Sequence, residues 1–148
     1  MSGYSGTPLP QKLGIRPNAR LYLEGAPDDY RRLVAPLPDG VQFVPRIDAA
    51  TDLVHLFATR RALLERALAA ARRAMRADAV IWVSWPKKSA TLRSDVSEDV
   101  IRELALPLGL VDIKVCAVDD TWSGLKLMLR RSERPQGRPD APARRTAK

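Results

Sequence analysis

The run Ala79-Val80-Ile81-Trp82-Val83-Ser84-Trp85 is apolar almost throughout, stops at Pro86 and releases Lys87 and Lys88. A strand buried on both faces reads this way, and such strands belong to the interior of a mainly parallel sheet covered by helices. Leu53 to Ala58 has the same character. Between the two runs, Arg60 to Arg76 carries Leu63, Leu64, Ala67, Leu68, Ala70, Ala71, Ala74 and Met75 at helical spacing. A strand, an amphipathic helix and a second strand in that order form a right-handed parallel unit. Thr59 is expected to cap the helix.

The same pattern continues on both sides. Ala19 to Glu24 is expected to be a strand entered from an extended arm at 1–18, and Gly25-Ala26-Pro27 closes it. Asp28 to about Ala35 is expected to be a helix, and Val41 to Val44 a short strand. A helix beginning at Ser97 is followed by alternating residues from Val111 to Ala117, a turn at Asp119 to Gly124, and alternating residues from Leu125 to Arg130. These last two strands should pair as an antiparallel hairpin. The expected fold is α/β, a Rossmann-like three-layer sandwich with a mainly parallel sheet and a C-terminal antiparallel hairpin. At 148 residues a single core is expected, with the domain at 19–131 and a disordered basic tail at 132–148.

Net charge of +8 suggests nucleic acid until its distribution is considered. The helix Arg60 to Arg76 holds +5 and residues 131–148 hold +4, which leaves −1 for the remainder. Arg61, Arg66, Arg72, Arg73 and Arg76 fall on the helix face opposite the leucines and form a candidate basic patch. The tail has no aromatic residue on which a base would stack. One cysteine, Cys116, and one histidine, His55, leave neither an internal disulfide nor a zinc-type ligand set. Both read as packing residues rather than a nucleophile and a base. With no apolar segment of membrane-spanning length and no signal-peptide core, a cytoplasmic protein without membrane contact is expected.

In parallel sheets the ligand crevice lies beyond the carboxyl ends of the strands. Gly25, Thr59, Lys87 and Asp119 each follow such an end, so all four loops are expected on one edge of the sheet, with Lys87 and Lys88 facing Asp119 and Asp120 across it. The candidate ligand-binding set is Gly25, Trp85, Lys87, Lys88, Asp119, Asp120, Thr121, Trp122 and Ser123. The lysines would contact a phosphate or carboxylate, with Thr121 and Ser123 as hydrogen-bond donors. Alternatively, ion pairs hold these loops together, with Trp85 and Trp122 beneath the arm at Tyr4 to Leu9. Asp119 and Asp120 could hold magnesium or act as a base, although adjacent carboxylates in a turn are usually turn formers. No catalytic residue is assigned.

Two resemblances add to this reading. The order of elements looks like a shortened class I methyltransferase scaffold, in which the first strand ends in a glycine-rich turn around adenosylmethionine and the second in an acid for the ribose. Here the turn is Glu24-Gly25-Ala26-Pro27, and the second strand ends Val44-Pro45-Arg46 with no acid before Asp48. The motifs Ser2 to Leu9, Lys12 to Ile15, Trp82 to Lys88 and Val118 to Lys126 resemble a small bacterial family named domain of unknown function 3052. That family implies no activity. The leading expectation is a non-enzymatic binding or regulatory module for a protein or small anionic ligand. The alternatives are an adenosylmethionine-dependent methyltransferase-like enzyme and a nucleic-acid binder.

Overall fold

A computed structural model describes residues 7–133. Six strands form one sheet: β1 (Arg20–Glu24), β2 (Gln42–Val44), β3 (Leu53–Phe57), β4 (Val80–Pro86), β5 (Leu110–Ala117) and β6 (Trp122–Leu129). Their spatial order is β2-β1-β3-β4-β6-β5. The first four run parallel, β6 pairs antiparallel with β4, and β5 pairs antiparallel with β6. The carboxyl ends of β1, β3, β4 and β5 therefore share one edge. This is a Rossmann-like α/β sheet with an antiparallel C-terminal hairpin.

The central strands are buried for the reason their sequence suggests. All five residues of β3 are buried, and Ile81 to Ser84 of β4 are inaccessible to solvent. One face packs against α3 (Arg61–Ala74) and α4 (Glu98–Ala105) through Leu64, Leu68, Ile101, Leu125 and Leu127. On the other, α1 (Leu9–Leu13) and α2 (Tyr30–Leu33) cover Leu21, Leu53, Trp82 and Trp122.

Several local expectations are corrected. Residues 9–13 of the arm are helical, with Pro10 in the first turn and Gly14 closing it at φ 78°. Leu9, Leu13 and Ile15 are buried, and the buried Trp82 Nε1 donates to the Leu13 carbonyl at 3.0 Å. The segment therefore belongs to the core. Residues 1–6 of the arm and 134–148 of the tail lie outside the described residues, which end in a short 3-10 turn at Arg131–Glu133. The helix expected at Asp28 to Ala35 is the single turn Tyr30–Leu33.

Thr59 does not cap α3. The carboxylate of Asp95 does, accepting from the Arg61 amide at 2.5 Å across 34 residues of chain. Leu63, Ala70 and Ala74, placed on the apolar arc, are exposed. At the C-terminal hairpin, Trp122, Ser123 and Gly124 belong to β6 instead of the turn. A bulge between Asp112 and Lys114 leaves Ile113 exposed at the sheet edge, and bulges with edge lysines discourage pairing with another chain.

Replacing Trp82 by phenylalanine tests the attachment of α1. The change leaves the Leu13 carbonyl without its donor, and an unsatisfied buried carbonyl costs about 1 to 3 kcal/mol. Urea unfolding should register that loss, and hydrogen exchange should accelerate selectively at residues 9–15. Unchanged exchange there would show that α1 is held by its apolar contacts alone.

Candidate functional site

Strand order decides where a crevice can open. From β1 the chain moves outward to β2 and then returns to the other side of β1 as β3. The loops leaving β1 and β3 depart in opposite directions, and in open α/β sheets the ligand site sits at that reversal. A cavity of about 270 Å³ lies there, bordered by Glu24 at the end of β1, Gly25 of the first loop, Thr59 and Arg60 of the second, and Leu63 and Ala67 of α3. It shares Thr59 and Arg60 with an open groove of about 610 Å³ that reaches Arg93, Ser94 and Asp95. The cavity is mostly apolar in lining, with one carboxylate on its rim. Tyr22 Oη donates to Glu24 Oε1 at 2.9 Å and so orients that carboxylate.

Gly25 has φ +72°, and a β-carbon on it would lie 2.6 Å from the Phe57 carbonyl oxygen. Glycine is therefore needed here to let the β1 loop pass close to the end of β3. Nothing acidic follows β2 on this edge. Asp48 accepts from the Ala50 amide and sits beside Thr51, while Arg76, from the far end of α3, donates to the carbonyls of Ala49 and Thr51. Asp48 thus lies at the opposite edge of the sheet.

The second cluster is held by backbone and turn hydrogen bonds instead of the ion pairs expected between its loops. Lys87 reaches the hairpin turn through its backbone, its amide donating to the Thr121 carbonyl at 2.8 Å. Asp119 Oδ1 accepts from the amides of Thr121 and Trp122 at 2.9 and 2.8 Å, the arrangement of an Asx turn. Among the described residues, no ion pair joins Lys87 or Lys88 to Asp119 or Asp120. No group of three His, Cys, Asp or Glu side chains among them is placed to hold a metal ion. Trp85 and Trp122 lie on opposite faces: Trp85 packs with the α3 and α4 side, Trp122 with the side that carries α1. Ser123 pairs with Trp85 in the strand ladder.

The candidate basic patch is largely committed. Arg61 pairs with Glu103 at 2.9 Å, and Arg72 Nε donates to the Leu108 carbonyl at 3.0 Å. Arg76 bridges Asp52 at 2.7 Å and Asp78 at 2.6 Å. Arg66 and Arg73 are the exposed members of the set.

His55 is completely buried between Tyr30 Oη at 2.9 Å from Nδ1 and Ser84 Oγ at 2.8 Å from Nε2. A neutral imidazole has one donor and one acceptor nitrogen, so the two hydroxyls satisfy it in either tautomer. Burial lowers its pKa to about 3. The same burial raises the Tyr30 phenol above its ordinary range.

The comparisons with known proteins bear on the fold. No family model matches the chain, and no curated protein matches it. Among solved structures, it is similar to an adenosylmethionine-dependent methyltransferase from Aquifex aeolicus, with a TM-score of 0.62 and 11% identity over 81% of this chain and 87% of that one. Magnesium protoporphyrin IX methyltransferase of Synechocystis PCC 6803, crystallised with bound S-adenosylhomocysteine, gives 0.52 with 8% identity over 82% and 78%. A TehB-like methyltransferase of Corynebacterium glutamicum gives 0.50 with 14% identity over 87% and 91%. The chain has a methyltransferase fold. Among the described residues, no helix is long and apolar enough to cross a membrane.

The sequence selects Gly25 and places Thr59 on the same strand-end edge, but it does not join the two into one site and does not single out Glu24, Arg60, Leu63 or Ala67. The available signal was the adjacency of β1 and β3, which the methyltransferase-like order implies and which places the loops after Glu24 and Ala58 together.

Proposed function

We propose that this protein binds adenosylmethionine at the carboxyl ends of β1 and β3 and acts as a small methyltransferase-like protein. The observation carrying this reading is the cavity at the strand-order reversal, with an apolar wall from α3 and the Glu24 carboxylate on its rim. Leu63 and Ala67 would pack against the nucleoside, and Glu24 would accept from its ribose hydroxyls. The shared Thr59 and Arg60 border gives a long ligand continuous room from the cavity into the groove. Bound there, the cofactor would supply a methyl group carried on a sulfonium. The fold similarity to adenosylmethionine-dependent enzymes supports this over a purely regulatory module.

We also infer membership of the domain of unknown function 3052 family, from the long motifs Trp82 to Lys88 and Val118 to Lys126. They cover most of β4 with the two lysines after it, and the hairpin turn with the first half of β6; the Lys87 amide joins the two by its hydrogen bond to the Thr121 carbonyl.

Calorimetric titration of the full chain with adenosylmethionine and with its demethylated product tests the cofactor proposal. Saturable heat is expected, with affinity reduced at least tenfold by Ala67→Trp, which fills the cavity from the half-exposed helix surface. An unchanged melting temperature in that variant would show that the pocket alone was altered. Absence of heat at millimolar ligand would overturn the proposal and return the binding-module reading.

A further inference from the structure

The face of the β5–β6 hairpin turned away from α3 and α4 carries a charge arrangement that the cofactor reading does not use. Lys114 and Lys126 are direct cross-strand partners. Like charges in that position oppose pairing, so a sequence stabilising only the hairpin would place an acid or an uncharged residue there. Lys126 is also half-buried, beside the Trp82 row of the sheet. Its ammonium pKa is lowered by burial and by the Lys114 charge. From α1, Lys12 brings Nζ to 3.5 Å from the Ala117 carbonyl, toward the same strands. The charges of both Lys12 and Lys114 act on Cys116, whose thiol burial nevertheless pushes up in pKa.

No carboxylate among the described residues pairs with Lys114 or Lys126. The remaining sequence offers little countercharge. Residues 1–6 contain no acid, and residues 134–148 contain Asp140 alone against five basic residues. A cross-strand lysine pair without a carboxylate partner is balanced most simply by an external anion.

We propose that Lys114, Lys126 and Lys12 form a binding face for a small phosphorylated ligand. A lysine ammonium is a compact point charge that contacts phosphate oxygens singly and without the planar match an arginine requires. Several such charges favour a multiply charged anion over a single carboxylate. Trp82, the aromatic side chain in this row, is fully buried and offers no stacking surface, so recognition falls on the phosphate group rather than on a base. The cavity beside α3 lies on the opposite face of the sheet, and this site stands independently of the cofactor proposal.

Titration of the full chain with sodium tripolyphosphate at low salt, followed by amide NMR, provides the test, with inorganic phosphate and sodium chloride in separate arms. Saturable shifts are expected at Lys114 to Ala117, Gly124 to Lys126 and α1, stronger with tripolyphosphate than with phosphate. Lys114→Gln and Lys126→Met should each weaken binding at least tenfold. Neither should unfold the protein: removing the repulsion should raise the melting temperature by about 2 °C, the shift that the usual cross-strand pair energy produces in a domain this size. Shifts confined to the α3 arginines or the tail, unchanged affinity in both variants, or a fall in melting temperature with binding retained would each overturn the proposal.

Discussion

Replacing His55 by alanine is expected to lower the unfolding free energy by about 3 to 5 kcal/mol, among the largest losses any single substitution in this chain should produce. Two effects combine. Removing a buried ring leaves a cavity in the middle of β3, and large-to-small core changes cost about 2 to 5 kcal/mol. The hydroxyls of Tyr30 and Ser84 also lose their shared partner, and both residues are buried. An unsatisfied buried hydroxyl costs roughly 1 to 3 kcal/mol unless water enters to replace the ring. Relaxation of Tyr30 into the space holds the total near the stated range. Urea unfolding at pH 7.5 measures it, and a loss below about 1 kcal/mol would mean that the relay contributes little.

The same residue gives stability a specific pH dependence. The folded-state pKa of His55 is lowered to about 3 from 6.5. In the unfolded chain the ring takes a proton as pH falls through 6.5, whereas the folded protein excludes it until about 3. The contribution is therefore fully present above the unfolded pKa and is lost progressively as pH falls toward the folded one. The limiting slope is about 1.4 kcal/mol per pH unit. Between pH 6.5 and 5, largely above the carboxylate range, wild type should lose about 1 to 2 kcal/mol. Tyr30 stays protonated throughout, since burial raises its phenol. His55→Gln, which can still hydrogen-bond but does not titrate, should be nearly flat over that interval. Equal slopes in the two proteins would remove His55 as the cause.

The legible parts of the fold are those in which burial leaves a local pattern. β3 and β4 are apolar runs because both faces are covered, and α3 follows from the spacing of Leu64, Leu68 and Ala71. The segment Leu9–Leu13 is too short to show a helical period, and its Pro10 sits in a first turn, where proline is well tolerated. Its placement depends on a hydrogen bond from Trp82, 69 residues away. The cap of α3 was similarly hidden, because Asp95 reaches the Arg61 amide from another loop. Charge patterns were the least reliable guide. An arginine face on a helical wheel gives no indication that Glu103, the Leu108 carbonyl and Asp52 will meet three of its members.

Gly25 brings fold and site together, and its replacement by alanine should cost about 2 to 4 kcal/mol. The left-handed backbone at φ +72° accounts for about 1 to 2 kcal/mol of that in any residue with a β-carbon. The rest comes from the 2.6 Å approach to the Phe57 carbonyl, which a real β-carbon relieves only by separating the ends of β1 and β3. Gly14 supplies the control: its φ is +78°, yet nothing lies within 4 Å of the position its β-carbon would take. Gly14→Ala should therefore incur the backbone cost alone, and the difference between the two variants isolates the close approach. If the strand ends part in Gly25→Ala, adenosylmethionine binding should weaken together with stability. A Gly25→Ala variant no less stable than Gly14→Ala, but unable to bind the ligand, would instead assign the glycine to ligand contact. Equal stability with unchanged binding would show that the β1 loop is free to move away from β3, and that the cavity does not depend on it.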